Sequence, residues 1–567
     1  MKLRDAATNS YLSACPGAGK THQVVGRYID QVARQTRRGV ALLSFSRSAV
    51  EEAISRCGAR SDLLRAPHFV GTFDSFIHRF ITTPYFGARG RKIRYIDHWG
   101  QIPGTEIRLR GRVDSKYGFP LEWFDVQHRG ACAIRSESLS DRSRSGHRDL
   151  VDRRGQELRA EAARRWQRLV KSDILSCSAA RSIAQWLLST DDGRERVASR
   201  LRGRFAEVIV DEMQDCGPEE LAILKLCQEA GIALVLVADM DQAVYEFRNA
   251  VPDEVAQLTR TLTGLDPMME NRRATPNISA VNTSLRHKRT PEAGLNEGTD
   301  HPIHLITGDD PEAIREQFLG LLEACDVSVQ DAMVLAHKAS DAERVGGRTI
   351  TEPTGSDQVV LVAHAIGTLT DATASAIERR RAQSMLTRGV LYHLGVAEQT
   401  DIAALLDETG INEFWLRRTV AHLARTMPEP RQAGRRGFTD ALKARLGSVA
   451  WPNGLVVRTA RMPTEKSWKP IANRRATTAL GLRASTIHSA KGHEYRAVLL
   501  VIPKTLRADD KGNTVLDDWE HDFPSEPRRV LYVGASRAQD LLGIAVPSRH
   551  SAQVVRVLEA GGVEFEG

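Results

Sequence analysis

The chain has 567 residues, 41% hydrophobic and 26% charged, with a formal net charge of +8. That length exceeds one ordinary core, so several domains are expected, and the balance is that of a globular chain rather than a disordered or fibrous one. No apolar run approaches the roughly 18 residues a membrane span needs and no apolar leader opens the chain, so a cytoplasmic location with no membrane partner is expected.

The basic balance, with a pI near 9.1, suits a polyanionic partner, because each neutralised phosphate releases counterions. Seven cysteines (15, 57, 132, 177, 216, 227, 325) lie far apart with no CxxC. That spacing argues against zinc, an iron–sulfur cluster or a disulfide framework.

In chain order, YLSACPGAGKT passes from a short strand through a glycine-rich turn into the helical pattern HQVVGRYIDQVARQ. Ala14, Cys15, Pro16, Gly17, Ala18, Gly19, Lys20 and Thr21 form a P-loop pattern with Ala in its first position. Gly17 and Gly19 let the backbone curl so that successive N–H groups converge on phosphate oxygens. The helix N-terminus adds partial positive charge. Lys20 is placed to reach the β- and γ-phosphates of ATP, and Thr21 to offer a hydroxyl to Mg2+.

VALLSFS then leads into RSAVEEAISRC, and an Arg-rich, mainly helical stretch follows. Its segment Arg129–Arg168 reads either as a DNA grip or as a solvated helix face. The strand AEVIV ends in Asp211-Glu212-Met-Gln-Asp215. Asp211 suits Mg2+ and Glu212 suits the attacking water, since a P-loop site needs a second, acidic strand end. LVLVADM follows. A second strand group begins at HPIHLITG and AMVLAHK, resumes at LRASTIHSA and AVLLVIP, and ends at LLGIAVP. Between its halves the spacing is helical, with MPEPRQAGRRG (Met427–Gly437) read as a loop or linker. Strand–turn–helix alternation predicts an α/β fold with two cores, each a parallel sheet covered by helices and each with a mainly helical insertion. The expected division is 1–80 with 202–265, insertion 81–201, 266–345 with 476–567, and insertion 346–475.

The P-loop and DEMQD are joined, in order, by SFSRSAVEE (Ser44–Glu52), GTFDSF (Gly71–Phe76), VADMDQAVYEFRNA (Val237–Ala250), ENRRATPNI (Glu270–Ile278), STIHSAKGHEY (Ser485–Tyr495) and EPRRVLYVGASRA (Glu526–Ala538). Together these resemble superfamily 1A helicases of the UvrD/Rep/PcrA group. The resemblance implies that the two cores are RecA-like P-loop cores. It implies an ATP-dependent translocase or helicase on single-stranded or tailed duplex DNA, with 3′ to 5′ polarity. It implies Gln242 as a γ-phosphate sensor, Arg273 and Arg537 as arginine fingers, and Glu494 at the ribose. For the DNA strand it points to Phe45, Phe73, Tyr245 and Phe247 as stacking aromatics. Arg47, Thr72, Ser75, His488 and Ser489 are the matching phosphate or sugar contacts.

Three departures carry expectations. MKLRDAATNS holds no Gln where the family reads adenine, and Arg272 stands where it usually places Tyr, so a stacking guanidinium and weaker discrimination between ATP and GTP are expected. The second insertion is short, and little is expected beyond the sixth motif in the way of a nuclease domain or tail. That compactness, with HFVGTFDSFIHRFITTPYFG, resembles the helicase subunit of Gabija-type anti-phage systems and implies a partner nuclease. A different class of reading, a nucleotide-sensing ATPase that regulates such a nuclease with little unwinding, competes with the motor.

Overall fold

The computed structural model describes all residues except 1–2, 7, 35–36, 46, 59, 103–104, 110–113, 115–116, 129–130, 140–144, 245–251, 348–357, 372–373, 375, 394–412, 450, 452–457 and 473–480. Two six-stranded sheets organise it. The first runs Thr263–Gly264, Ser10–Ser13, Ala233–Ala238, Phe205–Val210, Gly39–Ser44, Phe69–Thr72, every pairing parallel. Strands Gly39–Ser44 and Phe205–Val210 are buried along their whole length. A sheet covered on both faces selects such unbroken apolar runs over alternation.

The second sheet runs Ala484–Thr486, Ala332–Ala336, Tyr495–Val501, Ala538–Val546, Ile303–Thr307, Phe565–Glu566, again all parallel. These are two RecA-like α/β cores. Strand Phe69–Thr72 and the two-residue edge strands were not marked by the apolar pattern, being short or interrupted by glycine.

Between Phe69–Thr72 and Phe205–Val210 stand the helices Ser145–Lys171, Cys177–Leu188 and Asp191–Arg204. They are accompanied by two small ribbons, Arg94–Ile96 with Ile174–Ser176 and Phe124–Val126 with Cys132–Ile134, so this region is not purely helical. Three-residue strands are too short to show a period of two. The Arg-rich helix buries Leu150, Leu158, Ala162, Trp166 and Val170. Its arginines turn outward into ion pairs: Arg154 with Asp114 and Glu157, and both Arg164 and Arg168 with Glu161.

The second insertion is mainly helical among its described residues: Gln358–Thr370, Ala376–His393, Glu413–Thr426, Pro430–Ser448 and Glu465–Ala472. These helices close around Ile366, Leu386, Leu423, Phe438 and Leu442. The loop reading of Met427–Gly437 is corrected here. Pro430 opens a helix, and the Glu429 carboxylate caps it by accepting the Gln432 N–H at 2.8 Å. Gly434, at φ +66°, breaks the helix without ending it. Prolines and glycines at a helix start had the composition of a linker.

Candidate active site

Strand Ser10–Ser13 delivers the chain into the loop 14–19 and helix Lys20–Arg34. Gly17 and Gly19 take φ +71° and +82°, the left-handed region that glycine enters without strain. Gly17 has a second constraint. A Cβ there would stand 2.2 Å from Asn271 Oδ1 and 2.7 Å from Arg273 Cβ, so the segment carrying the predicted arginine packs directly on the loop. The backbone agrees, since Arg272 N–H donates to Gly17 O at 3.2 Å. Cys15 is buried beneath, and burial with the Glu292 and Asp239 carboxylates pushes its thiol up to about 12, leaving it a small apolar side chain.

Lys20 is only 8% exposed, its Nζ 3.4 Å from Ala14 O and 4.0 Å from Glu212 Oε1. Thr21 Oγ1 donates to Asp211 Oδ2 at 3.4 Å. A hydroxyl and a carboxylate side by side are hard oxygen donors of the kind Mg2+ takes. Among the described residues no cluster of three or more His, Cys, Asp or Glu could hold a metal. Thr21 and Asp211 are the residues that would hold such an ion. Burial and the Glu212 carboxylate push Asp211 above the usual carboxylate range, a charge deficit a cation would relieve. Glu212 goes the other way: burial opposes its charge, but Lys20, Lys491 and the Gln214 amide outweigh it. Its backbone is left-handed (φ 59°, ψ 41°), a conformation that costs energy outside glycine, and the residue lines the cleft.

The second sheet contributes from the opposite wall. Arg537, 2% exposed, donates through Nη2 to Gln242 Oε1 at 3.3 Å and to Ser536 Oγ at 2.8 Å, and through Nε to Val533 O at 3.0 Å. Burial and the neighbouring Arg273 lower it to about 10, which still leaves it charged at neutral pH. Arg273 Nε donates to Glu494 Oε2 at 2.5 Å and its Nη1 to Ser536 O at 3.3 Å. Lys20, Thr21, Asp211, Glu212, Gln242, Arg272, Arg273, Glu494 and Arg537 line one cleft of about 1010 Å³. Arg272 stands at its rim, exposed and paired with Glu270 at 3.2 Å.

The expected strand-contacting residues divide. Phe45 is half-buried at the cleft mouth and stacks on Phe73 with centroids 5.6 Å apart. Phe73 itself is 2% exposed and packed in the core, so its ring supports Phe45 and offers no free face for a base; the stacking expectation for it is corrected on that ground. Thr72 caps helix Phe73–Ile77 through Ser75 N–H, and Thr486 caps Ile487–Ala490 through Ser489 N–H. His488 rests 5.5 Å from His337. Tyr245 and Phe247 lie outside the described residues, as does the side chain of Arg47, which opens helix Arg47–Cys57.

Lys491 lies within STIHSAKGHEY, yet the sequence alone assigned it no role. Its ammonium bridges Asp215, at 2.7 and 2.8 Å, and Gln242 O, at 3.1 Å, tying the second sheet to the first. One sequence cannot separate such a lysine from a surface one.

Among the described residues no helix is long and apolar enough to cross a membrane. Residues 3–263 match the UvrD/REP helicase N-terminal domain. DNA helicase II of Escherichia coli is 21% identical over 306 residues, covering 52% of this chain and 40% of that protein. YjcD of Bacillus subtilis, whose name assigns it provisionally to the ATP-dependent DNA helicases, is 24% identical over 423 residues, covering 63% of this chain and 53% of its own length. A 60-residue stretch is 48% identical to one chain of the ATP-dependent helicase/nuclease of Moorella thermoacetica, covering 10% of this chain and 4% of that one. The chain thus spans about half the length, or less, of these relatives. The chain is similar to UvrD-like helicases, with the domain match confined to residues 3–263, which hold the first sheet and its side of the shared cleft.

Proposed function

We propose that this UvrD-like chain is an ATP-dependent, Mg2+-requiring translocase and helicase acting on single-stranded or tailed duplex DNA, moving 3′ to 5′. One observation carries the reading: chemically distinct groups from both sheets converge on a single cleft. The motor would consist of cores 1–80 with 202–265 and 266–345 with 476–567, carrying insertions 81–201 and 346–475, in a cytoplasmic protein.

In this reading the loop 14–19 cradles the phosphates and Lys20 neutralises them. Mg2+, held by Thr21 and Asp211, would neutralise charge on the β- and γ-oxygens. Glu212 accepts a proton from the attacking water while Gln242 orients that water. Arg273 and Arg537 meet the charge that develops on the transferred phosphoryl group. Because they belong to the second core, hydrolysis depends on closure of the cleft, and closure is what moves the strand. Arg272 would stack on the base and Glu494 would hold the ribose once it exchanges Arg273 for substrate. Phe45, Thr72, Ser75, His488, Ser489, Arg47, Tyr245 and Phe247 are the proposed strand contacts.

The test is hydrolysis of ATP, and of GTP in parallel, with and without single-stranded DNA, alongside displacement of a labelled strand from 3′- and 5′-tailed duplexes. Stimulation by DNA with displacement from the 3′-tailed substrate is expected, with GTP used nearly as well as ATP. Stimulation without displacement would replace the motor with the nucleotide-sensing reading. The Gabija-type resemblance adds a partner nuclease and an anti-phage role; the lack of a nuclease reading frame beside this one would remove both.

A further inference from the structure

We infer that Asp239, Tyr532 and Arg286 are positioning residues that orient the side-chain amide of Gln242, and that they do so only while the two sheets are docked. This rests on the ATPase reading above and names a part of it that the motifs do not assign.

The chain of contacts begins at Gln242. Its Nε2 donates to Asp239 Oδ2 at 2.8 Å, while its Oε1 accepts from Arg537. An amide has one acceptor end and one donor end, and an ionised carboxylate only accepts. Asp239 therefore settles which end of Gln242 faces the cleft: the oxygen, the end able to accept a hydrogen bond from a water or from Arg537. An unheld amide would sample both orientations.

Asp239 is in turn held from the other sheet. It is fully buried at the end of strand Ala233–Ala238. The Tyr532 hydroxyl donates to Asp239 Oδ2 at 3.0 Å, and Arg286 Nη2 stands 3.4 Å from Oδ1. Tyr532 lies on helix Glu526–Ala535 and Arg286 follows helix Pro276–Leu285, both packed in the core of the second sheet. Arg286 Nη1 donates to the Tyr532 oxygen at 2.5 Å, so the phenol's own proton turns to a carboxylate, with Asp239 Oδ2 at 3.0 Å the nearer acceptor and Glu292 Oε2 at 3.4 Å the farther. Burial and the Asp239 and Glu292 carboxylates hold the phenol well above its ordinary range, which keeps it a donor. From its own sheet Asp239 accepts from Gln242 at Oδ2 and donates its backbone N–H to Gln214 Oε1 at 3.1 Å. Parting the sheets would strip Asp239 of Tyr532 and Arg286 together and leave a buried carboxylate that must find water. The orientation of Gln242 is thereby tied to closure.

A buried ion cluster that merely holds the cores together is the competing account, because Arg286 also meets Asp241 at 3.1 Å and Glu292 at 3.8 Å. The two accounts separate on Tyr532→Phe, which removes the hydroxyl and keeps the ring. The experiment measures kcat and KM for ATP at saturating single-stranded DNA, affinity for a fluorescent ATP analogue, and the melting temperature. It compares wild type, Tyr532→Phe, Gln242→Ala and the double variant. Expected is a kcat reduced about tenfold by Tyr532→Phe, with KM and analogue affinity within about twofold. The same substitution in the Gln242→Ala background should cost less than about twofold further, because residues acting through one another are not additive. A full second loss in that background overturns the relay, as does a fall in melting temperature with kcat unchanged. Wild-type protein that hydrolyses no ATP overturns the ATPase reading itself and the relay with it, whereas an active wild type matched by Tyr532→Phe overturns the relay alone.

Discussion

Counted from opposite edges, the two sheets place corresponding strands in one order: Ser10–Ser13 matches Ile303–Thr307, Gly39–Ser44 matches Ala332–Ala336, and the edge strand Phe69–Thr72 matches Ala484–Thr486. The edge strands even end alike, each in a threonine that caps a short helix by accepting the N–H of a serine three residues on, at 3.2 Å in both. The difference lies where Ser10–Ser13 and Ile303–Thr307 stop. The first feeds a loop in which Gly17 and Gly19 take φ +71° and +82°. The second feeds Gly308-Asp309-Asp310, and the Asp310 carboxylate already caps helix Pro311–Ala324 through the Glu312 N–H at 3.1 Å. A carboxylate at a helix N-terminus occupies the place a phosphate would take and repels it. One scaffold therefore gives one wall with a glycine loop and one wall that supplies Arg273, Lys491 and Arg537.

The strongest way to break that comparison is to remove one group from each wall. Glu212→Gln, on the phosphate-loop wall, should abolish turnover in a steady-state hydrolysis assay while leaving ATP-analogue binding intact. Arg537→Ala, on the wall with no phosphate loop, should cost roughly 10³–10⁵ in kcat, the range for an arginine finger. A loss within tenfold for Arg537→Ala would mean that the second sheet is a bystander to the chemistry.

Groups lying within a few residues of each other in the chain were legible from it: the loop 14–21, the acidic strand end at 211–215, and the long apolar strands. What the chain could not show was geometry across sheets. That Gly17 must be glycine because Asn271 and Arg273 press on it depends on contacts more than 250 positions away. Phe73 and Phe45 are equally aromatic in the sequence, and only packing makes one a core residue and the other a half-exposed face. The arginines of Ser145–Lys171 looked like a cationic stripe, yet several are paired with acids on the same helix. Net charge counts those groups without saying where they point.

The matched threonine caps sharpen the comparison at smaller cost. Thr72→Ala and Thr486→Ala should each destabilise their short helices by about 1 kcal/mol. The consequences for the serines differ. Ser75 Oγ also donates to Thr72 O at 2.7 Å and keeps that anchor when the side chain is lost. Ser489 is held by the Thr486 hydroxyl, through its N–H at 3.2 Å and its Oγ at 2.9 Å. Affinity for single-stranded DNA, measured by fluorescence anisotropy, should therefore fall more for Thr486→Ala than for Thr72→Ala. Equal losses would show that the two caps are equivalent in function as well as in form.

The smallest effect concerns what stands beside each cap: two phenyl rings in the first sheet, two imidazoles in the second. Burial, and then the neighbouring His337, lower His488 to about 4; Lys491 acts in the same direction and the Val244 carbonyl opposes it. His337 is lowered as well, by burial first and then by Lys338 and Arg507. The ordinary value, 6.5, is that of the unfolded chain. Between about 6.5 and 4 the unfolded chain therefore binds the proton that folded His488 refuses, so stability is full above 6.5 and drains away as the pH falls through that window. Melting temperature should drop on acidification from pH 7 toward 5, and drop less in His488→Asn, whereas Phe45→Leu beside the other cap should leave the slope untouched. A pH slope unchanged by His488→Asn would mean that the His488 imidazole is solvated enough to take up its proton as readily in the folded chain as in the unfolded one.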